Sequence, residues 1–186
     1  MTTYIALLRG VNVGGHNKVP MGALRTDLEA AGFGHVRTYI QSGNVLVDTG
    51  RASPQKVADR VREVIADTLS LDIPTIALDA ASLAGIVDAN PYADEPDHKR
   101  VHAIFLPTAP DPASVERLRD LESAFSAKGS PDTITLDGST LYLHTPDGFG
   151  TSELAKALTT KGRIAALNGT ARNWATVTTL LAMARQ

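Results

Sequence analysis

The chain has 186 residues, 43% of them hydrophobic, no cysteine and a formal net charge of -2. That is enough apolar content for one ordinary domain or two small ones, and it lies far from the disordered regime. The absence of cysteine excludes disulfides, thiolate zinc sites, iron–sulfur clusters and cysteine nucleophiles, and the near-neutral charge argues against a surface built throughout to coat nucleic acid.

The chain starts with no basic stretch followed by an apolar one, and no run approaches the ~20 apolar residues of a membrane helix, so a cytoplasmic protein without membrane contact is expected. Charge is uneven along the sequence. Asp79 to Asp97 carries five acids and no base, whereas beyond Glu153 there are Lys156, Lys161, Arg163, Arg172 and Arg185 and no carboxylate. Two solvated helix surfaces account for this; a locally basic face is the other reading.

In chain order, Tyr4 to Leu8 is a short continuous apolar run and reads as a buried strand. Pro20 opens a helix where its missing N–H costs nothing, with Met21, Leu24, Leu28 and Ala31 at helical spacing and Gly32 as its stop. Val36 to Ile40 and Val45 to Val47 read as a hairpin about Gln41-Ser42-Gly43-Asn44. Ser53-Pro54 starts a helix striped by Val57, Val61, Ile65 and Leu69, and beyond Pro74 comes a strand over Thr75 to Leu78. The first half is thus βαββαβ, the ferredoxin-like order.

The second half begins with a linking helix marked by Leu83, Ile86 and Val87 and stopped at Asn90-Pro91. A strand follows over Val101 to Leu106, and a helix starts at Asp111-Pro112 and runs through Val115, Leu118, Leu121 and Phe125. A hairpin, Thr133 to Leu136 and Leu141 to His144, turns at Asp137-Gly138-Ser139. Where a fourth strand belongs, the pattern gives a helix from about Ser152, a loop, and a last helix with Trp174, Val177, Leu180 and Leu181 on its apolar side. The expected fold class is α+β, with two ferredoxin-like (βαββαβ-type) subdomains, the second having its last strand replaced by helices. The expected organisation is a first subdomain over 1–79, a linking helix and acidic loop over 80–99, and a second subdomain with C-terminal helices over 100–186.

In a split βαβ unit the first two strands run parallel, so the loop after strand one and the turn after strand two share one end of the sheet. Arg9, Asn12, Asn17, Lys18, Gln41, Ser42 and Asn44 should therefore gather beside the start of the Pro20 helix. Glycine-freed N–H groups at Gly14 and Gly15, a helix N-terminus and two bases suit a phosphate or carboxylate. Gly10 and Gly15 have the spacing of a P-loop, but His16-Asn17 stands where Lys and Ser or Thr belong, and Gly10 to Gly14 is no dinucleotide fingerprint. The competing reading is a crossover loop whose glycines adopt positive φ and whose polar residues cap strand ends.

Two further loops carry polar residues. Thr151 and Ser152, after Pro146-Asp147-Gly148-Phe149-Gly150, are first of all helix caps. In Thr170-Ala171-Arg172-Asn173-Trp174, Asn173 reads as a cap and Trp174 as a core residue, although an exposed Trp beside Arg172 would make a base-stacking platform. Whether Arg172 joins the first site is open at this stage.

Several of these stretches together resemble a bacterial family known as domain of unknown function 1697. They are Leu8 to Gly15, Asn17 to Met21, Tyr39 to Val45, Pro146 to Gly150 and Arg172-Asn173-Trp174, and they span essentially the whole chain. The resemblance implies the α+β fold with ferredoxin-like halves. It implies no activity, substrate or catalytic residue, but it marks the polar loops as the family's recognisable parts and so favours a site there.

Other chemistries fit less well. Asp94, Glu95, Asp97, His98 and His102 do not share a helical face, so a solvated acidic loop is expected and no metal or cofactor. Ser42 and Ser152 lack a nucleophile elbow and an identifiable histidine partner. The third strand has no aromatic residue with which to stack RNA. The expected function is binding of a small anionic, phosphate-containing ligand, with turnover open. The alternatives are a nucleic-acid or protein-binding module using Lys156, Lys161, Arg163, Arg172 and Trp174, and a purely structural role.

Overall fold

The computed structural model describes residues 1–14, 17–159 and 167–186. They divide into two compact units, one formed by Met1–Gly85 with Thr179–Gln186, the other by Ile86–Thr178.

The first unit runs β1 (Thr2–Leu8), α1 (Met21–Ala30), β2 (Gly34–Tyr39), β3 (Asn44–Thr49), α2 (Pro54–Leu69) and β4 (Thr75–Asp79), and its sheet has the order β2-β3-β1-β4. β1 is antiparallel to both neighbours, with Tyr4 opposite Val47 and Asp79, and Leu8 opposite Thr75. β1 is apolar without alternation because both of its faces are covered: Ile5 and Leu7 are as inaccessible as Tyr4, Ala6 and Leu8. Tyr4, Ala6 and Leu8 pack with Leu24 and Leu28 of α1 and with Val61 and Ile65 of α2.

The helix ends follow their side chains. Ser53 Oγ accepts the Lys56 N–H at the start of α2, Pro54 occupies the first turn, and Ser70 ends the helix in the left-handed region at φ 54°. The Tyr4 hydroxyl donates to the Ala52 carbonyl (2.6 Å) and accepts the Ala52 N–H (3.0 Å), pinning the β3–α2 connection to the sheet.

The helix α3 (Ala80–Asp88) follows, and the division between the units falls within it. The second unit holds β5 (Val101–Phe105), α4 (Pro112–Ser126), β6 (Thr133–Asp137), β7 (Thr140–His144), α5 (Glu153–Thr159), β8 (Thr170–Asn173) and the first part of α6 (Trp174–Ala184). Its sheet order, β6-β7-β5-β8, repeats that of the first sheet strand for strand. Ile104, Leu141 and Leu143 form its core with Leu118 and Leu121 of α4 and Leu154 and Leu158 of α5.

Two ferredoxin-like units are what the element order predicted, with one correction. The last strand of the second unit is not replaced by helices: Thr170–Asn173 pairs antiparallel with β5, from Phe105 opposite Thr170 to His102 opposite Asn173. This strand is four residues long, and Thr-Ala-Arg-Asn carries no apolar alternation. Its extended state comes from pairing with β5 rather than from local propensity. The predicted cap survives beside it, since Asn173 Oδ1 accepts the Thr176 N–H (2.8 Å) at the start of α6.

Candidate functional site

The loop leaving β1 is held from three directions. The Leu8 N–H donates to the Gly43 carbonyl (2.8 Å) in the β2–β3 turn, and the Arg9 N–H donates to the Pro74 carbonyl (3.0 Å) ahead of β4. The third tie is a side chain: Asn12 Nδ2 donates to the Gln41 carbonyl (2.7 Å) and the Val19 carbonyl (2.9 Å), while its Oδ1 accepts the Val19 N–H (2.9 Å). One neutral amide thus closes the loop on itself and fastens it to the facing turn. Within the loop the Asn12 N–H donates to the Asn17 carbonyl (3.2 Å), and Asn17 Nδ2 donates to the Gly10 carbonyl (3.2 Å).

The left-handed conformations are concentrated here. Gly10, Gly14 and Gly43 have φ of 64°, 59° and 76°, and Asn12, Asn17 and Ile40 have 56°, 46° and 48°. Asparagine tolerates this region; a β-branched residue does so only when its surroundings enforce it. Ile40, expected to close the strand, is instead the first residue of the turn. At Gly43 the requirement for glycine is twofold, because a β-carbon would lie 2.5 Å from Val11 Cγ2 and 2.7 Å from Leu8 Cβ besides the positive φ.

The predicted site residues fall into distinct positions. Lys18, Asn17, Gly14 and Gln41 are exposed, and Arg9 and Ser42 are half-buried, all at the same end of the first sheet. Asn12 is exposed but engaged as described. Asn44 is fully buried and donates to the Tyr39 carbonyl (3.1 Å) and Ser42 Oγ (3.1 Å), so it shapes the turn. Gly15 lies outside the described residues. The helix α1 beside this loop starts after Pro20, with no side-chain cap on its first turn. Val13 and Ile40, adjacent in sequence to the Asn12–Gln41 tie, are 66% and 52% exposed, and among the described residues only Met1 is a more exposed large hydrophobic residue.

Arg172 belongs to the second unit and is buried. Its Nη1 donates to Thr170 Oγ1 (2.8 Å) and the Ala171 carbonyl (2.7 Å), and burial lowers its pKa to about 10. Trp174 is buried against Tyr142, ring centroids 6.2 Å apart, so it offers no open face for a base. Lys156 pairs with Glu153 (2.6 Å), and Lys161 and Arg163 lie outside the described residues. Thr151 bonds the Asp147 and Gly148 carbonyls, and Ser152 Oγ accepts the Ala155 N–H (2.8 Å), the local roles expected of both.

The acidic stretch is less open than its composition suggests. Glu95 accepts from His144 Nε2 (2.8 Å), Tyr92 stacks on the His144 ring at 4.9 Å, and the Tyr92 hydroxyl reaches Thr135 Oγ1 (2.9 Å). The His144 hydrogen bond, aided by the Asp97 N–H, holds the Glu95 carboxyl below its usual range. His102 stacks on Phe149 (4.0 Å), and its Nδ1 is buried with no hydrogen-bond partner, which sequence patterning could not foresee. Among the described residues no three His, Cys, Asp or Glu side chains gather as a metal site.

Two βαββαβ units, the first with a braced polar loop at one end of its sheet, define this class of protein. The chain belongs to the family described as protein of unknown function (DUF1697), whose model matches residues 1–142. No relative among curated proteins matches it. A solved structure, that of the conserved bacterial protein SP0830 from Streptococcus pneumoniae, is similar over 98% of each chain, with a TM-score of 0.71 at 21% identity. At that identity the likeness extends to the fold.

Proposed function

We propose that the loop after β1 and the β2–β3 turn bind a small anionic, phosphate-containing ligand, such as a phosphorylated metabolite or nucleotide. The observation that carries this reading is the Asn12 brace, which fixes the loop to the Gln41 carbonyl while leaving Lys18 exposed three residues before an α1 start without a side-chain cap. A site fixed before binding loses less conformational freedom when the ligand arrives. The first-turn N–H groups and the partial positive charge of the helix favour an anion, and Lys18 and Arg9 supply full charges.

Gly14 and Asn17 offer backbone and side-chain donors to the phosphate, and Gln41 and Ser42 orient the rest of the ligand. Asn12 and Asn44 build the site rather than touch its occupant. Val13 and Ile40 provide an apolar flank for a ligand body such as a base. We place this activity in the cytoplasm, in keeping with a chain that has no cysteine. Among the described residues no helix is long and apolar enough to cross a membrane.

The test is a thermal-shift panel on wild type and Lys18→Ala with inorganic phosphate, nucleotides and sugar phosphates. A ligand at 100 times its Kd stabilises the folded state by about 2.7 kcal/mol, a rise of roughly 5–11 °C in a chain of this size. The expected result is a shift in wild type that falls in Lys18→Ala with no change in the ligand-free Tm. An equal shift in both proteins refutes the site.

A further inference from the structure

In the second unit, β6 lies at the edge of its sheet. The Ile134 N–H donates to Glu122 Oε1 of α4 (2.7 Å) rather than to β7, so Ile134 and Leu143 stand opposite each other without exchanging backbone hydrogen bonds. Two residues on, Leu136 stands opposite Leu141 in the same relation. The Ile134 carbonyl and both backbone groups of Leu136 therefore point away from the sheet, where no strand receives them. Beside this edge, between β6 and α4, is a cavity of about 270 Å³ lined in part by Val115, Leu118, Arg119, Glu122, Ile134 and Leu136. It falls below the range of about 300–1,000 Å³ usual for small-molecule pockets, and suits a single apolar side chain.

We infer that β6 and this cavity take an extended peptide paired to the strand edge, with an apolar side chain in the cavity and a carboxylate two residues away on Arg119. Donors and acceptors repeating along a strand edge are complemented by another extended chain, and alternate side chains of that chain then face the helix. Val115, Leu118, Ile134 and Leu136 make the apolar side of the cavity. The charge preference comes from Arg119, which is exposed and forms no ion pair with a described residue. Its natural partner one helical turn on is Glu122, but the strand edge holds that carboxylate instead. Charged side chains commonly shield sheet edges from strange strands. Here Glu122 shields one donor only, and leaves the backbone groups beyond it open next to a cavity and an unpaired cation.

The experiment is an amide NMR titration of the isotope-labelled full chain with the peptides acetyl-Thr-X-Thr-Asp-Thr-amide and acetyl-Thr-Asp-Thr-X-Thr-amide at millimolar concentration, X being Val, Leu or Phe. At least one peptide is expected to shift the Ile134 and Leu136 amides. A copy of it N-methylated at X and Asp keeps both side chains but cannot donate to the edge, and should lose the effect. Lys in place of Asp should weaken binding by about threefold, the scale of an exposed ion pair, and Arg119→Glu should reverse that preference. Arg119 is exposed and unpaired, so the variant is expected to fold as wild type does. No shift at Ile134 and Leu136 with any peptide overturns the inference, as does equal binding of the N-methylated copy or an unreversed preference in Arg119→Glu. Shifts of these amides with protein concentration alone would overturn it in favour of pairing between two copies of the chain. Lys18→Ala should bind the peptide as wild type does, so the result is independent of the anion site.

Discussion

His102 should make the protein acid-sensitive well above the range where carboxylates protonate. Its ring lies against Phe149 with Nδ1 buried and unpaired, and burial pushes its pKa down from 6.5 to about 4. The unfolded chain takes up a proton near pH 6.5 and the folded chain does not, so stability is complete above that pH and is lost as pH falls from 6.5 through about 4. Integrating over that window, the loss is about 2 kcal/mol by pH 5 and about 3 kcal/mol by pH 4, with little more below. For a chain of this size that is a fall in Tm of roughly 4–8 °C by pH 5.

The assay is urea denaturation at pH 7, 6, 5 and 4.5 on wild type and His102→Phe. The variant keeps an aromatic ring against Phe149, removes the orphaned nitrogen and cannot titrate. It should be at least as stable as wild type at pH 7 and should lose most of the slope between pH 6.5 and 4.5. The other four histidines are present in both proteins, so the difference isolates His102. An unchanged slope in His102→Phe, or a His102 ring titrating near 6.5 by NMR, refutes the reasoning.

Two further outcomes follow from side chains already described. Asn12→Ala removes three hydrogen bonds and frees the loop, which should cost about 1–3 kcal/mol in denaturant unfolding and speed hydrogen exchange at Val19; unchanged exchange would show that backbone ties alone hold the loop. Glu95→Gln removes a carboxyl that His144 holds below its ordinary value of 4.5, so its contribution is present above that pH and lost as pH falls through the lower folded value. The variant's stability should therefore vary less with pH below 4.5 than the wild type's, as read by denaturation midpoints at pH 5, 4 and 3.

Much of this architecture is visible in local pattern. The unbroken apolar run of β1 signals a strand covered on both faces, Ser53-Pro54 and Asp111-Pro112 mark helix starts where caps form, and Gly138 marks the turn of the second hairpin. The parallel relation of β1 and β2 then brings the glycine loop and the Gln41 turn to one end of the sheet. What could not be read depends on partners distant in sequence. β8 has no strand signal of its own and exists through β5, about 70 residues earlier. The engagement of Asn12, rather than its availability, follows from the placement of the Gln41 carbonyl 29 residues away. Asp132 carries no local signal of its burial, which comes with a hydrogen bond from Ser152, 20 residues on. Trp174 is buried, as its reading as a core residue has it, but the burial of Arg172 beside it has no local signal.

Gly43 ties one residue choice to the geometry of the loop. The position combines a left-handed backbone with two apolar neighbours that leave no room for a β-carbon. It can therefore serve as a marker when divergent chains are sorted. A relative that keeps glycine here beside bulky residues at the positions of Leu8 and Val11 can retain this turn and the loop packed on it. One with any other residue must shift the side chains at those two positions or carry smaller ones there, even where the sheet around them is unchanged.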